Sequence, residues 1–170
     1  YRLNLFTALN AALAVAFVYL VARHLVANRV AAIIAALTFA VGQTFWENAV
    51  AAEIYTMQML LAALALYLAL IWRDEFARGN VENARRRFYA LAFVMGLGLA
   101  HHRILLLIYP AIAIYVLLID RSILKNWALL ARAIIFLLLP FAFYLYLPLR
   151  GAVGSADGTY ANTLAGFIDW

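Results

Sequence analysis

Glu53, His101, His102 and Arg103 are ionisable residues in a chain that is otherwise mostly apolar. Their types suit the capture of a phosphorylated or hydroxyl-rich ligand. A guanidinium can fork two bonds to a phosphate, an imidazole can donate or accept, and a carboxylate can accept from a hydroxyl or pair with a cation. All four fall at or just inside the ends of membrane-length apolar blocks, where polar groups are costly and therefore mark candidate functional sites. Each also has a plainer reading. Glu53 would gain from a helix dipole if it opens a helix, the histidines could be satisfied by backbone or headgroups, and Arg103 could snorkel to the membrane surface. The functional reading of Glu53 is that it pairs with His102 or Arg103 or binds a polar substrate. Metal binding is not expected: the chain has no Cys, no His-x-x-x-His spacing occurs, and adjacent histidines on a helix point about 100° apart.

The elements that position these residues follow from composition. The chain has 170 residues, 69% of them hydrophobic and only 12% charged, with a mean hydropathy of +0.94. A soluble domain carries about 25% charged residues, so the chain is read as an integral membrane protein. A spanning helix needs about 20 apolar residues, and six blocks approach that length: Leu3–Val21, Val30–Phe45, Ile54–Trp72, Phe88–Ala100, Ile104–Ile119 and Trp127–Leu147. The fold class expected is an all-α polytopic transmembrane bundle of about six spanning helices. Trp46, Glu47 and Asn48 are expected to break the second block, and Arg73–Arg87 to form a long polar loop. Pro110 and Pro140 are expected to kink the fifth and sixth blocks. Trp46, Trp72 and Trp127 at block ends read as interfacial anchors. Gly96, Gly98 and Ala100 read as a close-packing stretch. Residues 1–148 are read as the bundle, part of a larger membrane domain, and 149–170 as the start of an outer or luminal loop.

Charge orients the blocks. If they alternate sides, ten of the 13 basic residues collect on one side, and Arg2, Arg103 and Arg150 on the other. Positive charge favours the cytoplasm, so Arg73–Arg87 is expected there and the candidate residues outside. The net charge of +5 is then a matter of topology. The Arg85–Arg87 run reads as an anchor, and nucleic acid is not an expected partner.

Several short stretches carry a family resemblance. Phe45-Trp46 through Ala52-Glu53-Ile54-Tyr55-Thr56, the opening Arg2-Leu3-Asn4-Leu5, Gly96-Leu97-Gly98-Leu99-Ala100-His101-His102, and Tyr144-Leu145-Tyr146-Leu147-Pro148-Leu149-Arg150 followed by Thr163-Leu164-x-Gly166-Phe167 occur in order. Together they resemble the protein O-mannosyltransferase-like membrane proteins of bacteria and eukaryotes, within the GT-C superfamily of glycosyltransferases. The resemblance implies a GT-C-like fold. It also implies an enzyme that transfers a sugar, mannose first among them, from a polyprenyl-phosphate donor to a protein or other acceptor on the outer face, with inversion and without a cofactor. On that reading Glu53, Tyr55, His101, His102 and Arg103 bind substrate. The general-base carboxylate of such enzymes lies in an outer loop after the first span, expected upstream of Tyr1, so no catalytic residue is assigned within the chain. Gly154-Ser155-Ala156-Asp157-Gly158 departs from the family's Trp-Gly-Asp-like stretch.

The resemblance also implies a multi-pass protein of a bacterial inner membrane, or of the endoplasmic reticulum in a eukaryote, in contact with membrane lipids. Two other classes remain open from the residues alone: a non-catalytic subunit held by partners in a larger membrane complex, and a transporter. A transporter would need a polar route through several spans, and polar residues deep in the blocks are few.

Overall fold

In the computed structural model, residues 2–51, 53–151 and 163–169 are described. Among them every regular element is helical, as expected of an all-α bundle. The longest helix, α1 (Arg2–Leu25), has 24 residues and so is about 36 Å long at 1.5 Å per residue, enough to cross a bilayer core of roughly 30 Å. Helix α2 (Arg29–Val41) starts where the Asn28 side chain accepts from the backbone N–H groups of Val30 and Ala31. It stops at Gly42, where the backbone turns extended, and α3 (Gln43–Val50) leaves at a bend of 62°.

That break lies four residues earlier than the sequence suggests. Trp46, Glu47 and Asn48 do not interrupt a helix; they sit inside α3. Their polar groups are satisfied locally, with Gln43 Nε2 donating to Glu47 Oε1 at 3.0 Å and Asn48 Nδ2 to the Thr44 carbonyl at 2.7 Å. A helix tolerates polar side chains on such terms, whereas a glycine in extended conformation ends it.

The stretch expected as a long polar loop, Arg73–Arg87, is instead a helical hairpin. Helix α4 (Tyr55–Ala77) continues past Arg73, and α5 (Val81–His101) begins before Arg85. Only three residues turn the chain. Gly79 takes a φ of 72°, its N–H bonds the Phe76 carbonyl, and the Asn80 N–H bonds the Glu75 carbonyl at 3.0 Å. This is a glycine-centred helix stop that caps the last carbonyls of α4. Asn80 then accepts from the Asn83 N–H to start α5. Glu82 in its first turn pairs with both Arg85 and Arg86, and these two guanidinium groups hold its carboxyl below the usual carboxylate range.

Beyond α5 the chain winds as a 3-10 helix over Arg103–Ile108 and then as α6 (Tyr109–Ile119). A second 3-10 turn (Arg121–Lys125) leads to α7 (Trp127–Leu138), a third 3-10 segment (Leu139–Leu145), α8 (Tyr146–Gly151) and α9 (Leu164–Asp169). The prolines mark changes of helix type. Pro110 lies in the first turn of α6 and Pro140 in the first turn of the third 3-10 segment, where a missing N–H breaks no helix hydrogen bond.

Length and apolarity qualify three segments to cross a membrane: α1, α4 and Trp127–Leu149. The bent pair α2 and α3 makes a fourth if it counts as one span. The expected number of about six is not reached by this measure, because α5 spends its first turns on charged residues and Arg103–Ile119 is too short. Helix α4 is central. It lies against α1 on one side and α5 on the other, and α5 in turn packs on α7. The main core joins Leu61, Ala65, Leu68 and Trp72 of α4 to Leu91 and Val94 of α5 and to Ile112 and Val116 of α6. Trp72 is only 2% exposed and packs on Phe76 and Phe88, so it is a core residue and not an interfacial anchor. Trp46 and Trp127 are exposed and fit the anchor role. The hairpin of α4 and α5, together with a contact between the C-terminal ends of α1 and α4, defines two ends of the bundle: one carries His101, the other the arginines.

Candidate functional site

The hairpin sets how the candidate residues meet. With Gly79 turning the chain at the arginine end, the first residues of α4 and the last of α5 must lie side by side at the histidine end. A direct bond joins them: His101 Nε2 donates to the Ile54 carbonyl at 3.1 Å. The carbonyl can only accept, so this contact fixes the proton on Nε2 and leaves Nδ1 as an acceptor. Ile54 follows Glu53 directly, which brings the two sequence stretches together through backbone.

His102 has a different task. Its backbone is extended, and its Nδ1 accepts from the Ile104 N–H at 3.3 Å, capping the 3-10 helix. That leaves Nε2 carrying a proton. Its ring lies 6.2 Å from the Tyr55 ring at 59°, within the range of tilted aromatic pairs. Arg103 is exposed and has no hydrogen bond or ion pair among the described residues. Glu53 is exposed as well; its backbone N–H bonds the Ala51 carbonyl at 2.9 Å, but no ion pair joins its carboxylate to His102 or Arg103 among the described residues. The pairing expected from sequence is therefore not made. The four residues share one end of the bundle, with the histidines engaged and the two charged groups without a partner among the described residues.

Beside His101 is an open cavity of about 480 Å³, of the size that takes small-molecule ligands. Its wall includes His101, Met57 and Leu97, and on the far side Phe143, Tyr144 and Tyr146. Tyr144 donates its hydroxyl to the Ala100 carbonyl at 2.9 Å, which ties the third 3-10 segment to the end of α5. The aromatic wall went unassigned in the sequence, although Tyr144 and Tyr146 lie in a stretch that carries the resemblance. Only the third dimension shows them facing His101. The Thr56 Oγ1 and Gln58 Oε1 atoms, in the first turn of α4, are buried with no partner among the described residues. Among the described residues no three His, Asp or Glu side chains gather as metal ligands. The Gly154–Gly158 stretch lies outside the described residues.

At the opposite end a cluster went unseen as a cluster. His24 Nε2 meets Asp74 Oδ2 at 3.0 Å, Arg73 Nη2 meets Asp74 Oδ1 at 2.9 Å, and the same Arg73 nitrogen lies 3.3 Å from His24 Nε2. In the sequence these residues are 49 positions apart and read only as topology charges.

The family described as the protein O-mannosyl-transferase TMEM260 N-terminal domain has a model that matches residues 1–125. The chain belongs to this family. Mouse protein O-mannosyl-transferase TMEM260 is 26% identical over 175 aligned positions, which take in 99% of this chain but 24% of the mouse protein. The chain thus spans about a quarter of that relative's length. No solved structure matches. The family match includes α1 to α6, and therefore Glu53, Tyr55, His101, His102 and Arg103.

Proposed function

We propose that this chain is part of a membrane O-mannosyltransferase and that its histidine end binds the donor, a mannose carried on a polyprenyl phosphate. The family match carries the reading, because it covers both stretches that the His101–Ile54 bond joins. The geometry supports the donor class. Arg103 offers a guanidinium without a partner among the described residues, suited to a phosphate. His102 keeps an Nε2 proton to donate, and Glu53 a carboxylate, unpaired among the described residues, to accept from sugar hydroxyls. The cavity beside His101 is aromatic and apolar, fitted to the first units of a prenyl chain or a sugar face. In the transfer, an acceptor hydroxyl oxygen bonds to the sugar C1 as the C1–O bond to phosphate breaks. The phosphate leaves with the electron pair and the hydroxyl proton passes to a carboxylate base. Arg103 would stabilise charge growing on the leaving phosphate. The full-length protein in vesicles, supplied with radiolabelled polyprenyl-phosphate mannose and a hydroxyl-bearing peptide, is expected to release polyprenyl phosphate and label the peptide. Absence of both products with intact protein would reject the proposal.

We further propose that the histidine end faces outward and the hairpin turn inward, on the bias of ten basic residues to three. The chain has no Cys, so one introduced at Arg78 is a clean probe. Gly79 is avoided because its φ of 72° strains any side chain. In a full-length protein cleared of other cysteines, Arg78→Cys is expected to resist an impermeant thiol reagent in intact cells and to react after permeabilisation. Labelling in intact cells would invert the topology.

A further inference from the structure

A second cavity, of about 450 Å³, lies between the arginine-end halves of α1 and α4 and the first turns of α6. Its walls are nearly all apolar: Val21 and Leu25 from α1, Ala69 and Leu70 from α4, and Ile108 and Ala111 around the start of α6. Polar groups converge on its rim from all three elements. His24 is three residues beyond Val21, and Arg73 four beyond Ala69, so each lies on the helix face that lines the cavity. From α6 comes Tyr115, which lines the cavity and sits beside Arg73. Its hydroxyl is buried and its proton has no acceptor among the described residues, because the neighbouring guanidinium can only donate. Arg73 turns Nε and Nη2 to Asp74 and leaves Nη1 unbonded among the described residues. Asp74 neutralises Arg73, but Arg23 in the last turn of α1 and Arg29 at the start of α2 keep this end cationic.

We propose that this cavity is a binding site for an anionic glycerophospholipid, one acyl chain lying in the apolar cleft and the phosphate at Arg73 and the Tyr115 hydroxyl. An apolar cleft with a cationic rim matches an amphiphile of that charge in both its parts, and a buried hydroxyl without an acceptor for its proton lacks a hydrogen bond that a phosphate oxygen would supply. The site is separate from the donor site, at the opposite end of the bundle, and does not depend on the transferase reading.

The test uses the full-length protein reconstituted in vesicles of equimolar dioleoyl phosphatidylglycerol and dioleoyl phosphatidylcholine, extracted in neutral detergent at low salt, with retained lipid measured by native mass spectrometry. The unmodified protein is expected to retain the anionic lipid over the zwitterionic one by about tenfold, the ratio given by 1.4 kcal/mol. Ala111→Phe fills the cleft and is expected to abolish retention of that lipid. Arg73→Gln is expected to equalise the two lipids. Because it also releases Asp74 and His24, Tyr115→Phe serves beside it; this change leaves the ion cluster intact and is expected to weaken the anionic preference. Excess inorganic phosphate is expected to leave the lipid in place. Equal retention of both lipids by the unmodified protein would overturn the proposal, as would displacement by phosphate. Retention unchanged by Ala111→Phe would also overturn it, and is the outcome if another segment of the full-length protein fills the cleft.

Discussion

Gly96→Ala is expected to lower the thermal midpoint of the full-length protein in detergent by more than any other single methyl addition in α5. A Cβ built at Gly96 would lie 1.9 Å from the Leu137 carbonyl oxygen and 2.9 Å from its Cα. These are backbone atoms of α7, which no rotamer change can move. The two helices would have to separate, opening the contact that seats α7 on α5. Overpacking costs about 1–3 kcal/mol and sometimes more, and a backbone clash belongs at the upper end. Gly98→Ala is the internal comparison. Its Cβ would meet Leu105 Cδ1 at 2.8 Å and the Tyr109 hydroxyl at 3.4 Å, and the far end of a leucine can turn away. Gly98→Ala should therefore cost clearly less. Equal midpoints for the two variants, or an unshifted Gly96→Ala, would show that α5 and α7 do not approach as described.

That pair of glycines also shows where sequence reading stops. Small residues before His101 announce a close helix contact, and α5 is indeed packed on both sides. Two positions apart on a helix, however, are about 200° apart around its axis, so Gly96 and Gly98 face different neighbours. Which glycine admits a backbone depends on Leu137, which no local pattern names. Trp72 fails as an anchor for a similar reason. A tryptophan at a block end has the same composition around it whether it faces headgroups or Phe88. Block length placed the apolar segments well but their ends badly, because Glu82 with Arg85 and Arg86 makes a stable polar helix start that hydropathy reads as loop. The grouping of Glu53 and His101 at one end followed from alternating spans. The bond that joins their segments, to the Ile54 carbonyl, did not, since a backbone acceptor leaves no mark in a sequence. The cluster of His24, Arg73 and Asp74 was hidden by the 49 positions that separate His24 from Arg73.

Arg103→Lys is expected to lower transferase turnover by tenfold or more, about 1.4 kcal/mol in the barrier, with the thermal midpoint unchanged. The structure makes this comparison clean. Arg103 is exposed and has no hydrogen bond or ion pair among the described residues, so no contact there holds the bundle together through it. His101 lacks that property: it ties α5 to α4 through the Ile54 carbonyl and walls the cavity, so a loss of activity in His101→Ala could come from a displaced helix end. Arg103 therefore separates the two readings of this end of the molecule. A residue that merely snorkels needs a long stem and a charge, and lysine supplies both. A residue that forks two bonds to a leaving phosphate needs the planar guanidinium, and lysine offers only a point charge. The fall should appear in kcat more than in KM if the bond strengthens as charge grows on the phosphate, and equally in binding of polyprenyl phosphate if it is already made in the ground state. Full turnover and unchanged lipid-phosphate affinity in Arg103→Lys would leave Arg103 a membrane-surface residue and remove the phosphate from this site.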